Sequence, residues 1–188
     1  AMAILAGDAL LTAAFETLAI QAAAYFPPSI IVPLQQEISR AAGMSGMIGG
    51  QVVDILSEGK PVNADVLEYI HRHKTGALIT CCIRSGARMG LATTQQLAAL
   101  TAYAEKIGLA FQIVDDILDI TGDDTELGKK TGSDTDKQKM TYPALYGLDA
   151  AQKKADTLHA EALTDLELFG DKADKLKDLA AMLVTRRK

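Results

Sequence analysis

Apolar residues recur at intervals of three and four along almost the whole chain, and no convincing alternation of apolar and polar residues interrupts them. That spacing lines one face of an α-helix and gives a half-buried strand nothing to present. The chain is therefore expected to be all-α. Composition agrees: 48% of the residues are apolar, only 5% are aromatic and tryptophan is absent, so the core must be aliphatic. At 188 residues the chain suits a single domain with a substantial core, and no repeat, linker or low-complexity tract divides it.

Helix breakers set the expected boundaries. A first helix runs from about residue 3 to residue 24 and stops before Pro27-Pro28. A second covers roughly 31–42, and a third ends at Ser57 before the turn Glu58-Gly59-Lys60-Pro61. Asn63 or Asp65 caps a helix that carries IHRHKTGALITCCIRSGARMG to about Gly90. Thr93 or Thr94 opens the next, over residues 95–120, and two more are expected at about 150–168 and 172–185. Between these lie residues 121–141, TGDDTELGKKTGSDTDKQKMT, a polar glycine-rich loop of a length that is unusual inside a compact domain and often functional.

The opening AMAILAGDALLTAAFETLAIQAAAYF is apolar, but Asp8 and Glu16 interrupt it and it lacks a basic leader. Neither a transmembrane span nor a signal peptide is expected there. Termini are usually polar and frayed, so this reads as a core helix whose upstream neighbours are missing. The net charge of −5, with no basic run beyond Arg186-Arg187-Lys188, disfavours nucleic acid as a partner. Cys81 and Cys82 are adjacent and point in different directions on a helix, which suits neither a disulfide nor a metal. They read as buried thiols of a cytoplasmic, reducing environment.

One stretch carries unusual charge. FQIVDDILDITGDD, residues 111–124, holds five aspartates in fourteen residues, and the next lysine is Lys129. On a helix, Gln112, Asp115, Asp116 and Asp119 form one polar stripe, with Phe111, Val114, Ile117 and Leu118 mostly on other sides. Two carboxylates about 6 Å apart repel by roughly 3 kcal/mol at an effective dielectric of 20, so a cation should offset them. Carboxylates from one helix suit Mg²⁺, a hard ion that takes one or two protein oxygens and completes its shell with water and phosphate. A solvated acidic face is the alternative. The ligand pattern of an EF-hand is absent, as is any phosphate loop of the Walker type.

Cations appear in two other places. Lys74-Thr75 lies mid-helix in HRHKTGALI, and the polar loop supplies Lys129, Lys130, Lys137 and Lys139. Acids for a metal and lysines for oxyanions, in an apolar helical body, suggest a diphosphate held by Mg²⁺. Solubility explains the loop lysines equally well, Lys130 and Lys137 above all. His71 and His73, two apart, do not share a helical face and read as structural.

GLAFQIVDDILDITGD resembles the second aspartate-rich motif of the trans-isoprenyl diphosphate synthases, HKTGALI their Lys-Thr motif, and LGKKTGSDTDKQKMTYPAL their GK…G.D….K.TYP loop. AILAGDALLTAAFE and GMIGGQVVDI also fit, in the family's order, and the bacterial farnesyl or geranylgeranyl diphosphate synthase group is the most similar. The resemblance implies an antiparallel helical bundle around a deep central cavity, usually a homodimer, that joins an allylic diphosphate (dimethylallyl or geranyl) to isopentenyl diphosphate. It implies Mg²⁺ (or Mn²⁺) on Asp115, Asp116 and Asp119, with Asp115 the direct ligand. Lys74, Lys129 and Lys139 would grip the allylic diphosphate, while the Thr75 main-chain carbonyl and the Gln112 side-chain carbonyl would face the allylic cation. It further implies a first aspartate-rich motif and the isopentenyl diphosphate site upstream of Ala1, so that these 188 residues are the C-terminal part of a longer enzyme and inactive alone. A non-catalytic prenyltransferase-like subunit and a terpene cyclase are the competing readings. The Arg186-Arg187-Lys188 tail either closes over the second diphosphate or is solvated.

Overall fold

Two sequence-local caps place helices in the middle of the chain. The Asn63 side-chain Oδ1 accepts the Val66 amide at 2.9 Å, which satisfies one of the orphan donors at the start of α4, Ala64–Ile70. At Thr93 the cap is reciprocal: Gln96 N–H donates to Thr93 Oγ1 at 3.3 Å, and Thr93 N–H donates to Gln96 Oε1 at 2.9 Å. From it springs α6, Thr94–Thr121, the longest described helix. These features belong to a computed structural model that describes residues 1–61, 63–121 and 141–186. Lys129, Lys130, Lys137, Lys139, Asp123, Asp124, Arg187 and Lys188 lie outside the described residues.

Every regular element among the described residues is helical, so the all-α expectation holds. Before α4 come α1 (Met2–Glu16), extended by a π-helical turn Thr17–Gln21 and a 3-10 turn Ala22–Ala24, then α2 (Pro28–Ala42) and α3 (Met47–Ser57). Helix α2 begins three residues earlier than expected because Pro28 sits in its first turn, where a missing amide costs nothing. A π-helical segment, His71–Gly76, joins α4 to α5 (Ala77–Met89). After α6 come α7 (Tyr142–Tyr146), α8 (Leu148–Asp165), a 3-10 stretch Glu167–Ala173 and α9 (Asp174–Thr185). The short α7 follows directly on the expected loop, in a stretch given no element, where five residues are too few to display a period.

Helix α6 is the axis of packing. Leu100, Tyr103, Ala104 and Ile107 meet Ala87 of α5, Ala162 of α8 and Ala180 of α9. One step further along, Ala110, Ile113, Val114 and Ile117 meet Ala151, Ala155 and Leu158 of α8 and Val184 of α9. Alanine at so many of these contacts lets the helices approach closely, which is why a chain this rich in alanine still makes a dense core. Glu37 of α2 is clamped by Arg84 and Arg88 of α5 at 2.6–2.9 Å, and Arg84 reaches on to Thr101 of α6. Burial pushes the Glu37 carboxyl up, but the bonds from Arg84 and Arg88 outweigh it and hold it below its ordinary value.

No residue of α1 is buried, and Met2, Ile4, Leu5, Leu10 and Leu11 stand exposed. By length and composition the helical run Met2–Ala24 and α6 are each apolar enough to cross a membrane, although half of the apolar window in α6 is buried in the core. The reading against a transmembrane span at the N-terminal end thus rests on Asp8 and Glu16.

Tyr103 is fully buried and its hydroxyl donates to the Leu176 carbonyl at 2.7 Å. Burial pushes its phenol up to about 12 from 10. The folded state therefore holds the proton more tightly, so this contribution to stability is complete below pH 10 and is lost as pH rises toward 12. It amounts to about 2–3 kcal/mol across that window. Urea unfolding between pH 9 and pH 12 should show a fall in stability that is smaller by about that amount in Tyr103→Phe; equal slopes for the two proteins would contradict it.

Candidate functional site

The segment His71–Gly76 lies between α3 and α6, and glycines set both approaches. A Cβ at Gly50 of α3 would fall 2.3 Å from the Lys74 backbone nitrogen and 2.7 Å from its Cα. A Cβ at Gly108 of α6 would fall 3.1 Å from the Gly76 Cα. Only backbone against backbone fits there. The π-helical winding of the segment, often found where helices carry function, coincides with Lys74-Thr75.

From this wedge the side chains reach both ways. Lys74 Nζ donates to Asp54 Oδ2 of α3 at 2.7 Å. Thr75 Oγ1 donates to Gln112 Oε1 of α6 at 2.9 Å. His71 Nε2 lies 3.3 Å from Asp116 Oδ2, and the same oxygen accepts the Tyr142 amide of α7 at 2.8 Å. Gln112 Nε2 stands 3.5 Å from Asp116 Oδ1, the limit of a hydrogen bond. Pairing 71 with 116 and 75 with 112 means that the segment and α6 run antiparallel, with two polar rungs between them.

The aspartates of the stripe occupy different surroundings. Asp116 and Asp119 are 5% and 2% exposed, whereas the Asp115 side chain is 37% exposed. Asp115 Oδ1 accepts from Arg186 Nη2 at 3.1 Å, and the same nitrogen donates to the Phe111 carbonyl at 3.3 Å. The guanidinium lies 4.0 Å from the centroid of the Phe111 ring. Part of the charge that offsets these acids therefore comes from the protein itself. The protein supplies Arg186 to Asp115, and it supplies His71 and a backbone amide to Asp116.

Of the residues expected at the site, Lys74, Thr75, Gln112, Asp115, Asp116 and Asp119 are carried by two adjacent helical elements, while Lys129 and Lys139 fall outside the described residues. Among the described residues no cluster of three metal-ligating side chains forms. Asp54 and His71 were not assigned to the site from sequence, and Arg186 was expected only as part of a tail that closes over the second diphosphate or is solvated, whereas it meets Asp115. Asp54 had a signal, since it lies four residues after Gly50 and shares its face of α3. His71, three residues before Lys74, had the same kind of signal. The partner of Arg186 had none, being 71 residues away.

The remaining titratable candidates are structural. His73 stacks on Tyr69 with ring centroids 3.8 Å apart, and its Nδ1 meets the Tyr69 carbonyl at 2.8 Å. Cys81 is a buried thiol, pushed up by burial and close to Ser85. Cys82 is exposed rather than buried, because the next residue of a helix turns about 100° away from the core. Neither forms a disulfide.

Comparison with known proteins adds a lineage to this geometry. The sequence profile of the polyprenyl synthetase family matches residues 1–181. The chain is 41% identical over 186 residues to a geranylgeranyl diphosphate synthase of Cyanophora paradoxa, covering 98% of this chain and 62% of that one. It is 45% identical over 192 residues to a farnesyl diphosphate synthase of Escherichia coli strain K12, covering 100% of this chain and 64% of that one. Its fold superposes with a TM-score of 0.84 on an FPP/GFPP synthase from Zymomonas mobilis, at 36% identity, covering 97% of this chain and 60% of that one. A geranyltransferase from Helicobacter pylori, complexed with magnesium and isoprenyl diphosphate, gives a TM-score of 0.81 at 37% identity, with 97% and 59% covered. The chain spans less than two thirds of the length of each of these relatives.

Proposed function

The chain belongs to the polyprenyl synthetase family, and from that premise we propose that it forms part of a prenyl diphosphate synthase that joins an allylic diphosphate to isopentenyl diphosphate. In that reaction the allylic C–O bond ionises and diphosphate departs. The double bond of isopentenyl diphosphate captures the cation, and a proton is lost.

The observation that carries the reading is the meeting of Lys74-Thr75 with the stripe of α6 across two glycine contacts. Lys74, oriented by Asp54, is assigned to the departing diphosphate, where a fixed positive charge stabilises developing negative charge. The Thr75 hydroxyl occupies one lone pair of Gln112 Oε1, which orients the amide and leaves the second lone pair for a cation. The Thr75 main-chain carbonyl is assigned the same duty. Apolar neighbours of the stripe keep water from the cation. Lys129 and Lys139 are assigned to the diphosphate on the family resemblance.

The donor set suits Mg²⁺ or Mn²⁺. Asp115 and Asp119 offer hard oxygens from successive turns of one helix, and an ion that takes one or two protein carboxylates completes its shell on diphosphate. When bound, the ion supplies positive charge to the leaving group. Asp116 completes the acidic face beside them, its Oδ2 accepting the Tyr142 amide and lying 3.3 Å from His71 Nε2. A homodimer accords with the uncovered apolar face of α1, and the free thiols accord with a cytoplasmic setting.

The test uses the polypeptide that carries these 188 residues. Given geranyl diphosphate, labelled isopentenyl diphosphate and Mg²⁺, it should release a product longer by one five-carbon unit, and EDTA should abolish this. Lys74→Ala should slow turnover by about 10²-fold. Product from the allylic diphosphate alone would favour a cyclase, and no product at all would favour a non-catalytic subunit.

A further inference from the structure

Asp116 is a buried carboxylate, and burying such a group is costly unless donors surround it. Two groups converge on its Oδ2. Tyr142 N–H belongs to the first turn of α7, where no intrahelical acceptor exists, so Asp116 satisfies an orphan of that helix from outside. The other is the His71 ring, itself only 4% exposed, whose Nε2 lies 3.3 Å away at ion-pair distance.

His71 also opens the segment that carries Lys74-Thr75. Its contact with Asp116 is one rung of the antiparallel pair, and the Thr75–Gln112 hydrogen bond is the other. Asp115 and Gln112 flank Asp116 on α6. If the His71 rung were lost, Asp116 would keep the Tyr142 amide and the marginal Gln112 contact, and its carboxylate would no longer be held against the segment that carries Lys74-Thr75.

We propose that His71 is a positioning residue: through the 3.3 Å contact of its Nε2 with Asp116 it holds that carboxylate against the segment carrying Lys74-Thr75, and so steadies the neighbouring Asp115 carboxylate and Gln112 carboxamide. The proposal rests on the reading of this face as a metal–diphosphate site. A histidine that merely filled core would be replaced about equally well by any polar side chain of similar size.

The test is binding of Mn²⁺ in the presence of inorganic pyrophosphate, followed by electron paramagnetic resonance, with circular dichroism to establish that each variant is folded. His71→Gln places an amide N–H near the position of Nε2, whereas His71→Asn places one near Nδ1 and cannot reach Asp116. His71→Asn should weaken Mn²⁺–pyrophosphate binding by about 10- to 100-fold, and His71→Gln should retain it within about threefold. His71→Phe, which has no donor and should behave as His71→Asn, replaces that variant if it does not fold. Equal binding in the two polar variants, whether retained or lost, overturns the positioning role. No binding by the unaltered protein overturns the diphosphate reading instead, and the role of His71 with it.

Discussion

Gly50→Ala is expected to destabilise the protein by roughly 3 kcal/mol and to displace Lys74. The added methyl would sit 2.3 Å from the Lys74 nitrogen, 2.7 Å from its Cα and 2.9 Å from the His73 carbonyl carbon. All three are backbone atoms, so no change of rotamer relieves the clash, and either α3 or the π-helical segment must move. The 2.7 Å pair between Lys74 and Asp54 spans those same two elements and would be broken by the shift. Gly86 is the internal control, because it lies within α5 and nothing stands within 4 Å of its would-be Cβ. Gly86→Ala should stabilise by up to about 1 kcal/mol through helix propensity. Urea denaturation of the two variants should therefore move in opposite directions. A Gly50→Ala protein as stable as Gly86→Ala would refute the packing of α3 on the Lys-Thr segment.

Asp115→Ala is expected to do the reverse, losing activity while keeping the fold. Its side chain is over a third exposed, and its ion pair with Arg186 is one of the partly solvated kind that contributes at most about 1 kcal/mol. The thermal midpoint should barely change. Turnover in the condensation assay should fall by about 10²- to 10³-fold, since the carboxylate that would hold the metal on the departing diphosphate is withdrawn. Unchanged turnover, or a loss matched by unfolding, would remove Asp115 from the proposed metal site.

The helices themselves were legible because their periods are long and their breakers local. Asn63, Thr93 and the turn at residues 58–61 all act within a few residues of where they stand. The starts of α2 and α7 were not, since a proline in a first turn reads as a break and a five-residue helix shows no period. At the site, the residues that share a turn of α6 were found from spacing alone. Their countercharges were hidden by distance along the chain. Asp116 meets His71 from another helix, Lys74 meets Asp54 from a third, and Asp115 meets Arg186 from beyond the last helix. Spacing shows which side chains share a face, but not which face of another helix is laid against it. The glycines at 50 and 108 were the available clue, as each marks a place where a second backbone comes close.

The central claim is that the stripe of α6 and Lys74 together receive a metal-bound diphosphate. A crystal of the protein grown with Mn²⁺ and pyrophosphate, measured for anomalous scattering from the metal, tests it directly. The expected result is a manganese peak roughly 2.0–2.2 Å from a carboxylate oxygen of Asp115, with Arg186 withdrawn and pyrophosphate within hydrogen-bond reach of Lys74 Nζ. Pyrophosphate bound away from α6, or an Asp115 still paired with Arg186 and bare of metal, would contradict it.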